Sequence, residues 1–570
     1  MFKMSDSCTE YIYSNDYADF TIDYKYDIES IYEKFNPICV NRITRKYFVA
    51  YKQIENIQQM PIIEFGYSAF PKLYGLLDMD ALEEIGVTDI RRIPNFDLTG
   101  KDVLMGIIDT GINYTLDIFK NEDNTTRIIS IWDQEYYENE ETSFASYGRV
   151  YTRYDINKAL TDDNPYSIVK QRDEIGHGTT LAAIATGSYN QENDFIGAAP
   201  DCEIVVVKLK KAKEYLKEYY QIEEDAICYQ DNDIMAGIQY LLLESRRIKK
   251  PLVICLGVGT NSGSHEGRDN LSQYIDDFSS NAGIAVVVAG GNEVASRHHY
   301  SGIMNITDDN DIDTIELSIG ENVKGFSMEI WLENPNLASI SFRSPMGENT
   351  GVLAMRSSRS DKLNFLFDRT NIFVDMKSIE ENTGNALIFI RFINPSPGIW
   401  NINIYKQSKI EGRYDAWLPL RGLVSENVIF IDSDPNTTLV SIANGAYSIA
   451  VSGYNGNTDG IYVNSSRGYT FDDRIKPDLA APAVEIYGPN GRGDYVYHTG
   501  TSIASALTAG TVAMLLEWAI TERNYLDIDS ATVKKFLISG SVRSIDRNYP
   551  NREWGYGKLN IYEVFDNMRR

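Results

Sequence analysis

Hydrophobic positions along this chain recur in two rhythms, and the change between them divides it. Continuous apolar runs at 103–108, 203–209, 252–257 and 284–289 alternate with helical patterns such as DIMAGIQYLLLESRR (233–247). Uninterrupted runs belong to strands covered on both faces, so their alternation with amphipathic helices predicts an α/β fold with a parallel sheet. From 301 to about 434 the period becomes two: TIELSIG, SMEIWLE, ALIFIRF and WNINIYK are separated by Asn, Pro and Gly turns, with hardly a helical pattern among them. That stretch predicts an inserted antiparallel β-sandwich or jelly roll. Core strands resume within SIANGAYSIAVSGYN (441–455), and helices close the chain. Ahead of the sheet, IYEKFN (31–36) reads as a short helix and KYFVAYKQI (46–54) as an alternating strand. The organisation expected is a small α/β unit at 1–76, a core in two parts at 77–300 and 435–570, and the inserted β-domain at 301–434.

Four strings along the chain carry a polar group that chemistry can use. VLMGIID (103–109) ends in Asp109, which places a carboxylate at the carboxyl end of a buried strand. His177 stands in DEIGHGTTLAAIATG (173–187), ahead of a small-residue helix pattern, and Ser502 in GTSIASA (500–506), at the start of a long Ala- and Leu-rich one. A serine hydroxyl is a poor nucleophile until a base takes its proton, and an imidazole titrating near neutrality can do that and return the proton to the leaving amine. Asp109 would hold the imidazole in one tautomer and stabilise the imidazolium. A fourth string, GIAVVVAGGNE (283–293), ends a strand run with Asn292, whose amide can join the Ser502 N–H in stabilising a developing oxyanion, at about 3 kcal/mol per donor. Taken singly, an Asp-Thr-Gly is more often a turn and a Ser at a helix start more often an N-cap. The joint order Asp, His, Asn, Ser is what gives the strings weight.

In that order the chain resembles the subtilase superfamily of serine peptidases over most of its length. SSRGYTFDDRIKPDLAAPAVEIYGPNG (465–491) looks like the stretch that precedes the nucleophile. CLGVGTNSGSHEG (255–267) looks like the strand and loop lining the S1 pocket, which implies substrate contacts by Leu256, Gly257, Val258 and Gly259. Within the superfamily, LYGLLDMDAL (73–82), TRIISIWDQ (126–134) and WGYGKLNIYEVF (554–565) resemble the clostridial Csp germination proteases. The resemblance implies a prodomain over 1–76 cut near Tyr74 to Met79 by the enzyme itself, a jelly-roll insertion, and activation of a spore-cortex hydrolase precursor by cleavage. Two positions depart from the superfamily pattern: Ala506 stands for a proline after the nucleophile, and Thr180 for a second histidine after the base. The alternative is a weak or inactive protease scaffold that binds a partner or signals in germination, and a further one is an adhesion protein whose β-domain carries the function. The presence of all three triad residues and of Asn292 weighs against both.

Composition narrows the partners. Lys and Arg number 54 against 81 Asp and Glu, a net charge of −27. So acidic a surface argues against nucleic acid or an anionic membrane, and is compatible with a basic protein substrate. No apolar run is expected to reach the length of a membrane span, and MFKMSDSCTEYIYSNDYADF lacks a secretory signal pattern, so the protein is expected to be made in the cytoplasm and to be spore-associated. Five cysteines, Cys8, Cys39, Cys202, Cys228 and Cys255, form no close pair, and reduced buried thiols are expected. No cofactor is implied. The pair His298-His299 has no companion ligand string, so no metal is expected. The run KKAKEYLKEYYQIEEDA (210–226) reads as a solvated surface insertion.

Overall fold

The computed structural model describes residues 8–23, 32, 34–54, 61–77, 98–137, 145, 147–304, 312–355, 358–407 and 410–569. The core is a nine-stranded sheet in the order Gly460–Ile461, Ile449–Asn455, Ile284–Ala289, Leu252–Leu256, Leu104–Asp109, Glu203–Lys208, Ile128–Asp133 and Arg149–Thr152, with Leu479–Pro482 pairing to the second strand. The central pairings are parallel, and antiparallel pairs close both ends. Alternate residues of the central strands enter different cores. Met105, Ile107, Val253, Cys255, Ala285 and Val287 pack with the helices His177–Thr186 and Thr501–Leu516. Leu104, Ile108, Ile254, Leu256, Val286 and Val288 pack with Asp231–Ile248 and Asn270–Ser279. Covering on both faces is why these strands read as unbroken apolar runs.

The expected insertion forms two antiparallel sheets between His299 and Phe430, of six and five strands, which share an apolar core of their own. No helix lies between those limits among the described residues. The N-terminal unit holds a three-stranded sheet with Tyr47–Gln53 between Tyr17–Asp23 and Cys39–Arg42, and its aromatic residues join the main core, Phe70 stacking on Tyr219 at 4.7 Å. Of the expected helix at 31–36, Tyr32, Lys34 and Phe35 are helical, while Asn36, at φ 44°, lies outside the helix.

Three expectations are corrected. Cys8 and Cys39, expected reduced, form a disulfide with Cα atoms 5.9 Å apart, because the sheet brings the strand Cys39–Arg42 beside the first helix; Cys202, Cys228 and Cys255 are free and buried. The helix Thr501–Thr521 is long and apolar enough for a membrane span, with mean hydropathy 1.6, but 89% of that window is buried inside the fold, which makes it the core helix. The charged run at 210–226 is not a solvated insertion. Its helix Glu214–Tyr220 buries Tyr215, Leu216, Tyr219 and Tyr220, and the Lys213 ammonium pairs with Asp19 of the N-terminal unit, both side chains being almost fully buried. The Asp19 carboxylate also accepts from the amides of Gln230 at 3.1 Å and Asn232 at 3.3 Å. Buried charges persist when paired and hydrogen-bonded, and here the pairing joins two parts of the fold.

Removing one partner of such a pair leaves a buried charge uncompensated. Lys213→Met is therefore expected to destabilise the protein by about 3 to 5 kcal/mol, read from the shift of the urea unfolding transition. A loss below about 1 kcal/mol, the range of an exposed pair, would return the run to the surface.

Candidate active site

The carboxyl ends of parallel strands are where an open α/β sheet exposes its loops, and ligands bind there. Asp109 is the last residue of Leu104–Asp109 and is fully buried, its Oδ1 accepting the Thr110 N–H at 2.7 Å. His177 opens its helix after Gly176, which adopts φ 93° where a Cβ would lie 2.8 Å from the Gly491 nitrogen. The imidazole Nδ1 lies 2.7 Å from Asp109 Oδ1. Ser502 is the second residue of Thr501–Leu516, which runs unbroken through Ala506, so the helix forms without the proline. Asn292 follows the strand Ile284–Ala289. Its Oδ1 accepts the Thr501 N–H at 3.1 Å, and its Nδ2 has no partner among the described residues. The sequence-selected Asp109, His177, Asn292 and Ser502 thus gather at one end of the sheet.

The groove beside them is filled by the chain itself. Leu73–Leu76 lies as the middle strand of three, Leu76 and Gly75 paired antiparallel with Val258 and Gly259, Leu73 and Tyr74 with Gln230 and Tyr229. The Leu77 N–H donates to the Gly257 carbonyl at 3.3 Å. Its own carbonyl oxygen accepts from Ser502 Oγ at 2.6 Å and lies 2.7 Å from His177 Nε2. Gly257, Val258 and Gly259 therefore meet the strand through their backbones, whereas Leu256 belongs to the central sheet, paired with Val288. The opposite wall, Tyr229–Gln230, was not selected from the sequence, and two residues without alternation gave no signal for it.

Burial disfavours the His177 imidazolium, but the Asp109 charge and hydrogen bond, with the Leu77 carbonyl, outweigh it and raise the pKa above the ordinary 6.5. The protonated ring contributes stability that is fully present below about pH 6.5 and is lost as pH rises through the folded-state value. The other histidines sit apart from this cluster. His265 and His299 stack on Trp417 at 4.2 and 5.0 Å, and burial pushes His265 down to about 4. His298 Nδ1 lies 3.5 Å from Glu293. Among the described residues no three His, Cys, Asp or Glu side chains are grouped to hold a metal ion. What the cluster offers chemically is a hydroxyl and a carboxylate-oriented base that share one peptide carbonyl, with an amide donor that has no partner among the described residues.

Comparison with known proteins agrees with that chemistry. The sequence model of the subtilase family matches residues 100–345 and 400–557. The fold is similar to that of the Clostridium perfringens CspB protease, with a TM-score of 0.75 and 30% sequence identity, over 85% of this chain and 98% of that one. Pyrolysin of Pyrococcus furiosus is 31% identical over 112 residues, which are 18% of this chain and 8% of that protein.

Gly257 is a tight joint of the site. A Cβ there would lie 2.4 Å from Leu181 Cδ1, 3.0 Å from His177 Cε1 and 3.4 Å from Ser502 Cβ. Gly257→Ala is expected to displace the imidazole and slow fluorophosphonate labelling of Ser502 by about 100-fold, with the circular dichroism spectrum retained. Labelling at the wild-type rate would show that the ring does not depend on this contact.

Proposed function

Because the chain belongs to the subtilase family of serine peptidases, we propose that it is an endopeptidase made as a zymogen, which first cuts its own Leu77–Asp78 bond. Ser502 is the nucleophile, His177 the general base, Asp109 the group that orients and charges it, and Asn292 the oxyanion donor. The observation that carries this reading is the Leu77 carbonyl oxygen, shared by Ser502 Oγ and His177 Nε2 at the end of a strand paired on both edges. In that position the oxygen blocks the passage of the Ser502 proton to His177, while Asn292 Nδ2 waits without an acceptor. Attack requires the oxygen to turn from the Ser502–His177 pair toward Asn292. The proton then moves from Oγ to Nε2, the tetrahedral oxyanion is held by Asn292 and the helix N-terminus, and His177 passes the proton to the Asp78 amine. Presenting the bond within the same chain replaces a bimolecular encounter. After hydrolysis the Leu77 carboxylate would remain as a product inhibitor on the same two groups.

On this reading residues 1–77 are the prodomain, 78–300 and 435–570 the catalytic core, and 301–434 a jelly-roll insertion. The likeness to the CspB protease, together with the three sequence strings shared with the Csp group, supports a spore-associated role in which the released enzyme activates a cortex hydrolase precursor by cleavage.

Wild-type protein is expected to run as two fragments on a denaturing gel and Ser502→Ala as one, with a cleavage rate that dilution does not change. A Ser502→Ala protein cut like the wild type would assign the cleavage to another agent. Asn292→Ala is expected to lower kcat by about 100- to 1,000-fold with little change in KM; a change confined to KM would make Asn292 a binding residue. Since the neutral ring is the base, self-cleavage should fall on the acid side with a midpoint above about pH 6.5. A midpoint well below that value would mean that the Asp109 and Leu77 contacts do not raise the His177 pKa.

A further inference from the structure

The residue just before the groove strand carries a charged side chain into the interior. Lys72 is the sixth residue before the bond that the preceding reading assigns to cleavage, and it is 3% exposed. Its ammonium donates to the Tyr67 carbonyl at 2.9 Å and the Tyr220 hydroxyl at 3.3 Å, and lies 3.3 Å from the centre of the Tyr67 ring. The cavity beside it is lined by Asp231 and Asp269 of the core and by Trp331 and Glu380 of the inserted sheets. Asp231 and Glu380 are 3% and 2% exposed, and each keeps one carboxylate oxygen without a hydrogen-bond partner among the described residues, Asp231 Oδ1 and Glu380 Oε1. Glu329, 4% exposed, accepts from the Tyr67 hydroxyl at 2.6 Å through one oxygen and from Trp331 Nε1 and the Gly263 N–H through the other. Asp269 is satisfied as the cap of its helix, and Arg268, more than half exposed, faces Glu266 at 3.8 Å. Burial lowers the Lys72 pKa, while Glu329, Asp231, Glu380 and Asp269 oppose that shift.

Lys72 and Tyr67 both belong to the N-terminal unit. When it leaves the groove, Asp231, Glu329 and Glu380 lose the Lys72 charge beside them, and Glu329 also loses the Tyr67 hydroxyl. The three carboxylates are then a cluster of like charge, which a cation relieves. Resting on the assignment of Leu77 as the residue before the cleaved bond, we propose that Asp231, Glu329 and Glu380 form a subsite for a lysine ammonium six residues before the cleavage point of a substrate protein. The backbone already sets the register, since the Asp231 N–H donates to the Lys72 carbonyl at 3.1 Å. The inserted sheets thereby supply two of the three recognition groups, and the acidic enzyme selects a basic position in its substrate.

The test compares two internally quenched peptides with the sequence of residues 70–81, one with lysine at position 72 and one with norleucine, which keeps the stem and removes the charge. Wild-type enzyme is expected to cut both after the leucine equivalent to Leu77, with kcat/KM about 10- to 100-fold higher for lysine and most of the difference in KM. In Asp231→Asn, and independently in Glu380→Gln, that ratio should collapse toward one; two variants guard against one failing to fold. Cleavage of both peptides after that leucine at equal kcat/KM would overturn this inference alone. Cleavage only at another bond, or none of the lysine peptide, would overturn the assignment of Leu77 beneath it.

Discussion

The arrangement of this protein depends on a strand whose hydrogen bonds lie outside its own unit. The backbone groups of Leu73–Leu76 are satisfied by Val258–Gly259 on one edge and Tyr229–Gln230 on the other. Buried peptide groups seldom go unpaired, so this segment has no comparable home elsewhere once the core has formed. Pairing on both edges sets the register to the residue, and the register puts the Leu77 carbonyl on Ser502 and His177. A shift of one residue would turn Tyr74 and Leu76, which share one face of the strand, to the other face.

The N-terminal unit is held against the core by polar contacts that few other surfaces could satisfy. Asp19 meets Lys213, Gln230 and Asn232, and Tyr67 meets Glu329 of the inserted sheets. Gln230 thus lies in the groove wall through its backbone and on the Asp19 carboxylate through its side chain. Seating of the unit and order in the groove are coupled through that residue. The inserted sheets take part in the same junction, since Glu329 also accepts from the core at Gly263.

How much was legible in the sequence follows from how local each signal is. Asp109, His177, Asn292 and Ser502 each sit at the end of an apolar run or at the head of a helix, and a run of one rhythm is visible within a few residues. The parallel sheet and the two antiparallel sheets were readable for the same reason. What was missed depends on partners distant in the chain. Lys213 looks solvated until Asp19 is beside it, and Cys8 and Cys39 look unrelated until a strand and a helix are brought together. Tyr229–Gln230 carries no periodicity, and its role appears only when a strand is laid against it. Leu256 adjoins the groove in sequence and pairs with Val288 in the central sheet.

The central claim is that Ser502 hydrolyses the bond after Leu77. The most direct measurement is the intact mass of the N-terminal fragment when cleavage takes place in water enriched in oxygen-18. The account predicts a fragment ending at Leu77 and carrying at least one heavy oxygen in its new carboxylate. A fragment that ends at another residue, or a chain that stays whole while hydrolysing other proteins, would contradict it.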